Sequence, residues 1–162
     1  MHPLLILKMM ILLALANGAP VIGKKILNIR FAYPLDCGWR LADGQPLFGK
    51  SKTLRGILLS LFVTAVLAPL LGVSWRVGLI AAAAAMIGDL FSSFVKRRMK
   101  LPPSSQALGL DQIPESLFPL IACAHPLGLS IADIAIGVAI FFIGELLLSR
   151  LLFKFKLRDR PY

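Results

Sequence analysis

An all-α integral membrane protein of about five transmembrane helices is the fold class this chain predicts, and three observations predict it. Its 162 residues are 57% hydrophobic, with a mean hydropathy of +0.80. The apolar residues come in long blocks rather than alternating with polar ones, and Lys and Arg gather beside the ends of those blocks. An ordinary soluble domain of this size is excluded. The connections between blocks are too short to fold alone, so residues 1–162 read as a single domain.

A hydrocarbon core about 30 Å thick is crossed by roughly 20 helical residues rising about 1.5 Å each. The first such segment runs from Leu4 to Gly23. Its start resembles a secretory signal peptide, but Asn17-Gly18-Ala19-Pro20 precedes nothing like a secreted domain, so it reads as a span. Leu54 to Val73 and Val77 to Val95 are clear spans; in the latter, the run Ala81 to Ala85 suits close helix packing. Ile113 to Leu129 is short and carries Pro114, Pro119 and Pro126, so a kinked or re-entrant segment is expected. Ile131 to Phe153 closes the set.

The formal charge is +10, from 18 Lys and Arg against 8 Asp and Glu. Its placement beside apolar segments argues for anionic head groups or a polyphosphate substrate and against nucleic acid. Lys24, Lys25, Arg30, Arg40, Lys50, Lys52 and Arg55 lie in the first connection; Lys96, Arg97, Arg98 and Lys100 follow the third segment. More basic residues, among them Lys154, Lys156, Arg158 and Arg160, end the chain, while the opposite side offers Arg76 and the start around His2. The positive-inside rule then puts the N-terminus outside, the C-terminus inside and both long loops in the cytoplasm, in a multi-pass protein of the cytoplasmic (inner) membrane.

Cys37 and Cys123 have no CxxC spacing, and His2 and His125 are isolated, so neither a disulfide nor a zinc site is expected. The chemistry is expected at acidic residues that a bilayer penalises. Asp89 sits inside the third segment and Asp111 opens the fourth. Positions seven apart return to nearly the same helix face, so Asp89, Ser92 or Ser93, and Lys96 form a stripe toward the cytoplasmic edge. Carboxylate below and ammonium above suits a metal-bound triphosphate. Magnesium takes one or two carboxylates plus phosphate oxygens and water, which Asp89 and Asp111 could supply. Lys96, Arg97 and Arg98 would neutralise charge on the phosphates, the competing reading being a topological stop. Glu145 is expected to pair with a basic neighbour, and Lys8 to snorkel outward or meet Asp133.

In the first long loop, Gly44 to Ser51 fulfils GxxxxGK[ST], but the polar residues upstream and the membrane span downstream exclude a soluble phosphate loop. Glycines with Lys50, Lys52 and Arg55 at a helix N-terminus still make an anion site.

Four stretches carry a resemblance. They are Ala16-Asn17-Gly18-Ala19-Pro20, the loop from Asp36-Cys37-Gly38 through Leu47 to Gly56, the run Gly88 to Arg98, and Leu110-Asp111-Gln112-Ile113-Pro114. With these the chain resembles the CDP-archaeol synthase family, membrane cytidylyltransferases distantly akin to phosphatidate cytidylyltransferases. The resemblance implies a five-helix membrane enzyme that takes CTP and a lipid phosphate and releases pyrophosphate and a CDP-lipid. It implies magnesium at Asp89 and Asp111, Lys96 and Arg97 at the phosphates, and Lys50, Lys52 and Arg55 closing over the nucleotide. Asn17 and Asp36 match motif positions expected to bind substrate, and Ser93, Arg98 and the catalytic group Lys96 complete the set. The linker Leu101 to Gly109 departs from the pattern, so the lipid tail stays open between isoprenoid ether and diacyl, as does homo-oligomerisation. A small membrane transporter or binding protein, with Asp89, Glu145 and Lys8 along a path, is the alternative from another class. The aspartate motif of CDP-alcohol phosphotransferases is absent.

Overall fold

A computed structural model describes residues 1–102, 105 and 107–154, with side chains described through Ser149. The tail residues Lys156, Arg158 and Arg160, the Lys154 side chain, and Pro103, Ser104 and Gln106 of the linker lie outside that description.

The expected all-α architecture is what forms. Helix α1 (Pro3–Leu27) starts on a proline, whose missing N–H costs nothing in a first turn. It ends on Lys24 and Lys25, whose charge complements the dipole of the last turn. Helix α2 (Leu54–Leu67) is capped by the Thr53 hydroxyl accepting from Gly56 N at 3.2 Å, and runs into a 3₁₀ turn, Ala68–Leu71. The Ser74 hydroxyl caps α3 (Trp75–Arg98), which terminates in the triplet Lys96, Arg97 and Arg98. The proline-rich fourth segment is broken at Cys123 into α4 (Gln112–Ala122) and α5 (Ala124–Leu127). Helix α6 (Ile131–Lys154) opens with a reciprocal cap, Ser130 N donating to Asp133 Oδ2 at 3.0 Å and Asp133 N to Ser130 Oγ at 3.2 Å.

Among the described residues, four helices are long and apolar enough to cross a bilayer: Pro3–Leu27, Leu54–Leu71, Trp75–Arg98 and Ile131–Ser149. Their outer faces expose Leu58, Phe62, Ile87, Ile143 and Leu147, as a lipid-facing surface should. The broken α4–α5 segment rises only about 24 Å at about 1.5 Å per residue, short of the hydrocarbon thickness, because Pro119 and Pro126 interrupt the hydrogen-bond ladder.

Helix α3 is the hub, packing against α1, α2 and α4. Small residues allow it: Ala81, Ala82 and Ala85 are fully buried among Met9, Leu12, Leu13 and Ala16 of α1 and Leu120 and Cys123 beyond. At Gly88 the α3 backbone lies directly on that of α4, so that a Cβ there would stand 2.9 Å from Glu115 N and closer still to Pro114. The bundle thus has a short-turn end and a long-loop end. The short-turn end is fastened by Asp133, fully buried, which accepts from His2 N at 2.8 Å and meets His2 Nδ1 at 3.1 Å. Lys8 therefore does not meet Asp133; its Nζ lies at Gly72 on the same end.

Candidate functional site

The long-loop end holds a cavity of about 440 Å³ between α1, α2, α3, α4 and α6 and under the first loop. Its polar lining is Asn17, Lys24, Asn28, Lys50, Ser51, Lys52, Thr53, Arg55, Asp89, Glu115 and Glu145, and its apolar lining includes Pro20, Val21, Ile29, Met86 and Leu90. Basic groups come from the loop and the start of α2, acidic ones from α3, α4 and α6.

At its centre Lys52 Nζ donates to both Asp89 oxygens, at 2.6 Å to Oδ1. The Glu115 carboxyl lies within hydrogen-bonding reach of Asp89 and in the field of Lys52 and Glu145. Asn17 Nδ2 donates to Glu115 Oε2 at 3.4 Å. The chain achieves this because Gly88 lets α4 seat its first turn beside Asp89, and because Asn17 shares the cavity-facing side of α1 with Pro20, Val21 and Lys24. Among the described residues no group of three or more His, Cys, Asp and Glu gathers closely enough to hold a metal alone.

The first loop is a folded strap. Pro34 bridges Thr53 and Arg40 bridges Pro46, with Leu35 N donating to Lys52 O at 2.8 Å and Leu47 N to Trp39 O at 3.1 Å. Asp36 ties its base, accepting from Gly38 N at 3.0 Å, Phe48 N at 3.1 Å and Gly49 N at 2.8 Å. Burial pushes this carboxyl's pKa up, but those amide donors outweigh it and hold it below the usual aspartate value. Asp43 is lowered too, by the Gln45 amide and by Arg98, whose Nη1 pairs with Asp43 Oδ2 at 2.5 Å.

Of the residues singled out in the sequence, Asn17, Lys50, Lys52, Arg55 and Asp89 meet in the cavity. Arg55 also has a structural task, donating to Asn28 O at 3.0 Å and to Arg30 O, which satisfies carbonyls past the end of α1. Asp36, Ser93, Lys96, Arg97, Arg98 and Asp111 do not line it. Asp111, expected beside Asp89, pairs with Lys96 Nζ at 2.6 Å and accepts from Ala107 N at 2.9 Å. Lys96 also donates to Ser105 O at 3.0 Å, and Arg97, only 3% exposed, to Pro102 O at 3.0 Å. Arg98 donates to Gln45 O and Pro46 O as well as to Asp43. Ser93 is buried in the helix packing.

Glu115, not singled out from the sequence, also lines the cavity. Glu145, expected to pair with a basic neighbour, faces the same cavity as Lys52. The signal for Glu115 was its position four residues past Asp111, one turn deeper in a segment that is otherwise apolar.

A family model described as CarS-like, CDP-archaeol synthase, matches residues 73–162. The CDP-archaeol synthase of Pyrococcus furiosus is 39% identical over 123 residues, 69% of this chain and 70% of that protein. That of Sulfurisphaera tokodaii is 31% identical over 135 residues, 80% and 81% of the two chains. A solved structure of an intramembrane enzyme for archaeal membrane lipids biosynthesis superimposes with a TM-score of 0.68 at 27% identity, covering 86% of this chain and 91% of that one.

Proposed function

The chain belongs to the CDP-archaeol synthase family, and on that premise we propose that its cytidylyl transfer takes place in the cavity beneath the first loop. The enzyme is a multi-pass membrane protein that transfers the cytidylyl group of CTP to a phosphorylated lipid, giving a CDP-lipid; a transporter is not favoured. A phosphate oxygen of the lipid attacks the α-phosphorus of CTP. The bond from that phosphorus to the bridging oxygen breaks, and pyrophosphate leaves with the electron pair. The nucleophile is already ionised near neutral pH, so the reaction needs no general base.

The observation that carries this reading is the Asp89–Glu115 pair on one wall facing Lys50, Lys52 and Arg55 on the other. Two hard carboxylates suit a magnesium ion that completes its shell with phosphate oxygens and water. The position is already one that cation charge favours, since an ammonium sits against both oxygens of Asp89. Asp89 and Glu115 would hold the ion, which when bound neutralises triphosphate charge; Asp111, engaged with Lys96, would instead hold the second loop. Lys52 and Lys50 would receive the phosphates of the nucleotide, and Asn17 orients Glu115. Preorganised charge of this kind is what phosphoryl transfer asks of a protein. The apolar lining formed by Pro20, Val21 and Ile29 suits the lipid beside its phosphate, and the archaeol-type ether lipid is the substrate favoured by the relatives. The long-loop end would face the cytoplasm, where the positive-inside rule places it and where CTP is found.

The test is purified protein with labelled CTP, magnesium and a panel of lipid phosphates. Asp89→Asn and Glu115→Gln should each lower CDP-lipid formation about 10²-fold or more, the scale for losing one preorganised charge. They should also weaken Mn²⁺ binding measured by electron paramagnetic resonance with CTP present. Full activity and unchanged Mn²⁺ binding in Glu115→Gln would remove Glu115 from the site.

A further inference from the structure

Resting on that reading of Lys52, we propose that Asp36 is a positioning residue for cytidylyl transfer: it acts by fixing the backbone that presents Lys52 and touches neither nucleotide nor lipid. Three observations carry it. First, both carboxylate oxygens are already engaged by the protein's own amides, three in all. Oδ1 accepts from Gly38 N, and Oδ2 from both Phe48 N and Gly49 N, in a site where Asp36 is only 8% exposed. A carboxylate so occupied has little left for a ligand, and its negative charge would repel a triphosphate.

Second, the chain runs from this knot straight to Lys52. Gly49 takes φ +93°, a backbone conformation open to glycine, and that turn aims its N–H at Asp36. From the same residue, Gly49 O accepts from Lys52 N at 3.1 Å, while Lys52 O accepts at 2.8 Å from Leu35 N, the residue before Asp36. Both backbone groups of Lys52 are thereby tied to residues the knot holds, and its side chain ends on Asp89. Third, Asp36 is not among the cavity-lining residues, whereas Lys50, Ser51 and Lys52 all are. Burial raises the pKa of Asp36, but the three amide donors outweigh it and hold the carboxyl below the usual aspartate value.

The experiment is a double-mutant cycle on the full chain in detergent or nanodiscs, with kcat and KM measured separately for CTP and for the lipid phosphate. Asp36→Asn keeps the shape but gives up charge, and it turns an amide donor toward backbone N–H groups. It should lower kcat/KM for CTP about tenfold, the order of one lost charge-assisted hydrogen bond, with KM for the lipid phosphate unchanged. Gly49→Ala, strained at that positive φ, should reproduce the effect by a route that leaves the carboxylate intact. In a Lys52→Met background, Asp36→Asn should cost less than about twofold, because the group it positions is gone. Additive losses, or a raised KM for the lipid phosphate in Asp36→Asn, would overturn the proposal by showing that Asp36 acts independently of Lys52. An unchanged kcat/KM for CTP in Lys52→Met alone would overturn the site reading instead.

Discussion

Replacing Gly88 with alanine probes the contact on which the acidic pair depends. A Cβ built there stands 2.6 Å from the Pro114 carbonyl carbon and 2.9 Å from Glu115 N, where ordinary contact begins at 3.4 Å. The Pro114 carbonyl oxygen stands closer still; all of these obstacles are backbone, so no side chain can swing aside, and α4 must recede from α3 by about 1 Å to restore ordinary contact. Overpacking of this kind costs about 1–3 kcal/mol. Alanine returns up to about 1 kcal/mol through its better helix propensity, so the melting temperature is expected to fall modestly. Activity is the sharper readout, because moving Glu115 off Asp89 by about 1 Å is worth about 10²-fold in rate. The assay is magnesium-dependent CDP-lipid formation by Gly88→Ala beside Gly144→Ala, whose new methyl meets nothing within 4 Å and which should behave as wild type. Wild-type rate in Gly88→Ala would refute the argument that backbone contact between α3 and α4 sets the site.

Two further outcomes are expected from the loop. Arg98→Met removes the clamp on Asp43, Gln45 and Pro46 but leaves every cavity-lining side chain in place, so KM for CTP should rise several-fold with kcat nearly kept. A clamp partly exposed to solvent contributes about 1 kcal/mol, which sets that scale; kinetics at fixed lipid phosphate measure it. Asp36 is lowered in the folded strap, so its contribution is fully present above the unfolded value of about 3.9 and is lost as pH falls through the depressed folded value. In a Trp75→Phe background the fluorescence of Trp39 should therefore hold down to about pH 4 and change only below it, whereas in Asp36→Asn the acid transition attributable to this group should vanish.

The spans were legible because burial in lipid demands long apolar runs, and the helix bounds follow them to within a few residues. So was the break in the fourth segment, since three prolines in a short run cannot sustain a ladder. Asp89 was legible as a charge where the bilayer penalises one. Glu115 was not, because what makes it functional is the position of Gly88 on another helix, and a glycine among small residues carries no mark of which one touches backbone. The partner of Asp133 was hidden for a related reason: His2 and Asp133 are 131 residues apart, and only the parallel packing of α6 beside α1, start beside start, joins them. Asp36 could be recognised as a motif position, but the three amides it ties appear only when the loop is folded.

The basic triplet at the end of α3 is shared between the two long loops. Consecutive residues on a helix point about 100° apart, so Lys96, Arg97 and Arg98 cannot all address one triphosphate from one direction. The structure sends them to different parts of the long-loop end: Lys96 to Asp111 and Ser105, Arg97 to Pro102, and Arg98 to the first loop at Asp43, Gln45 and Pro46. All three depart from the end of the helix that carries Asp89 seven residues before Lys96. The element holding the central carboxylate therefore also holds both loops, and Lys52 reaches that carboxylate from one of them.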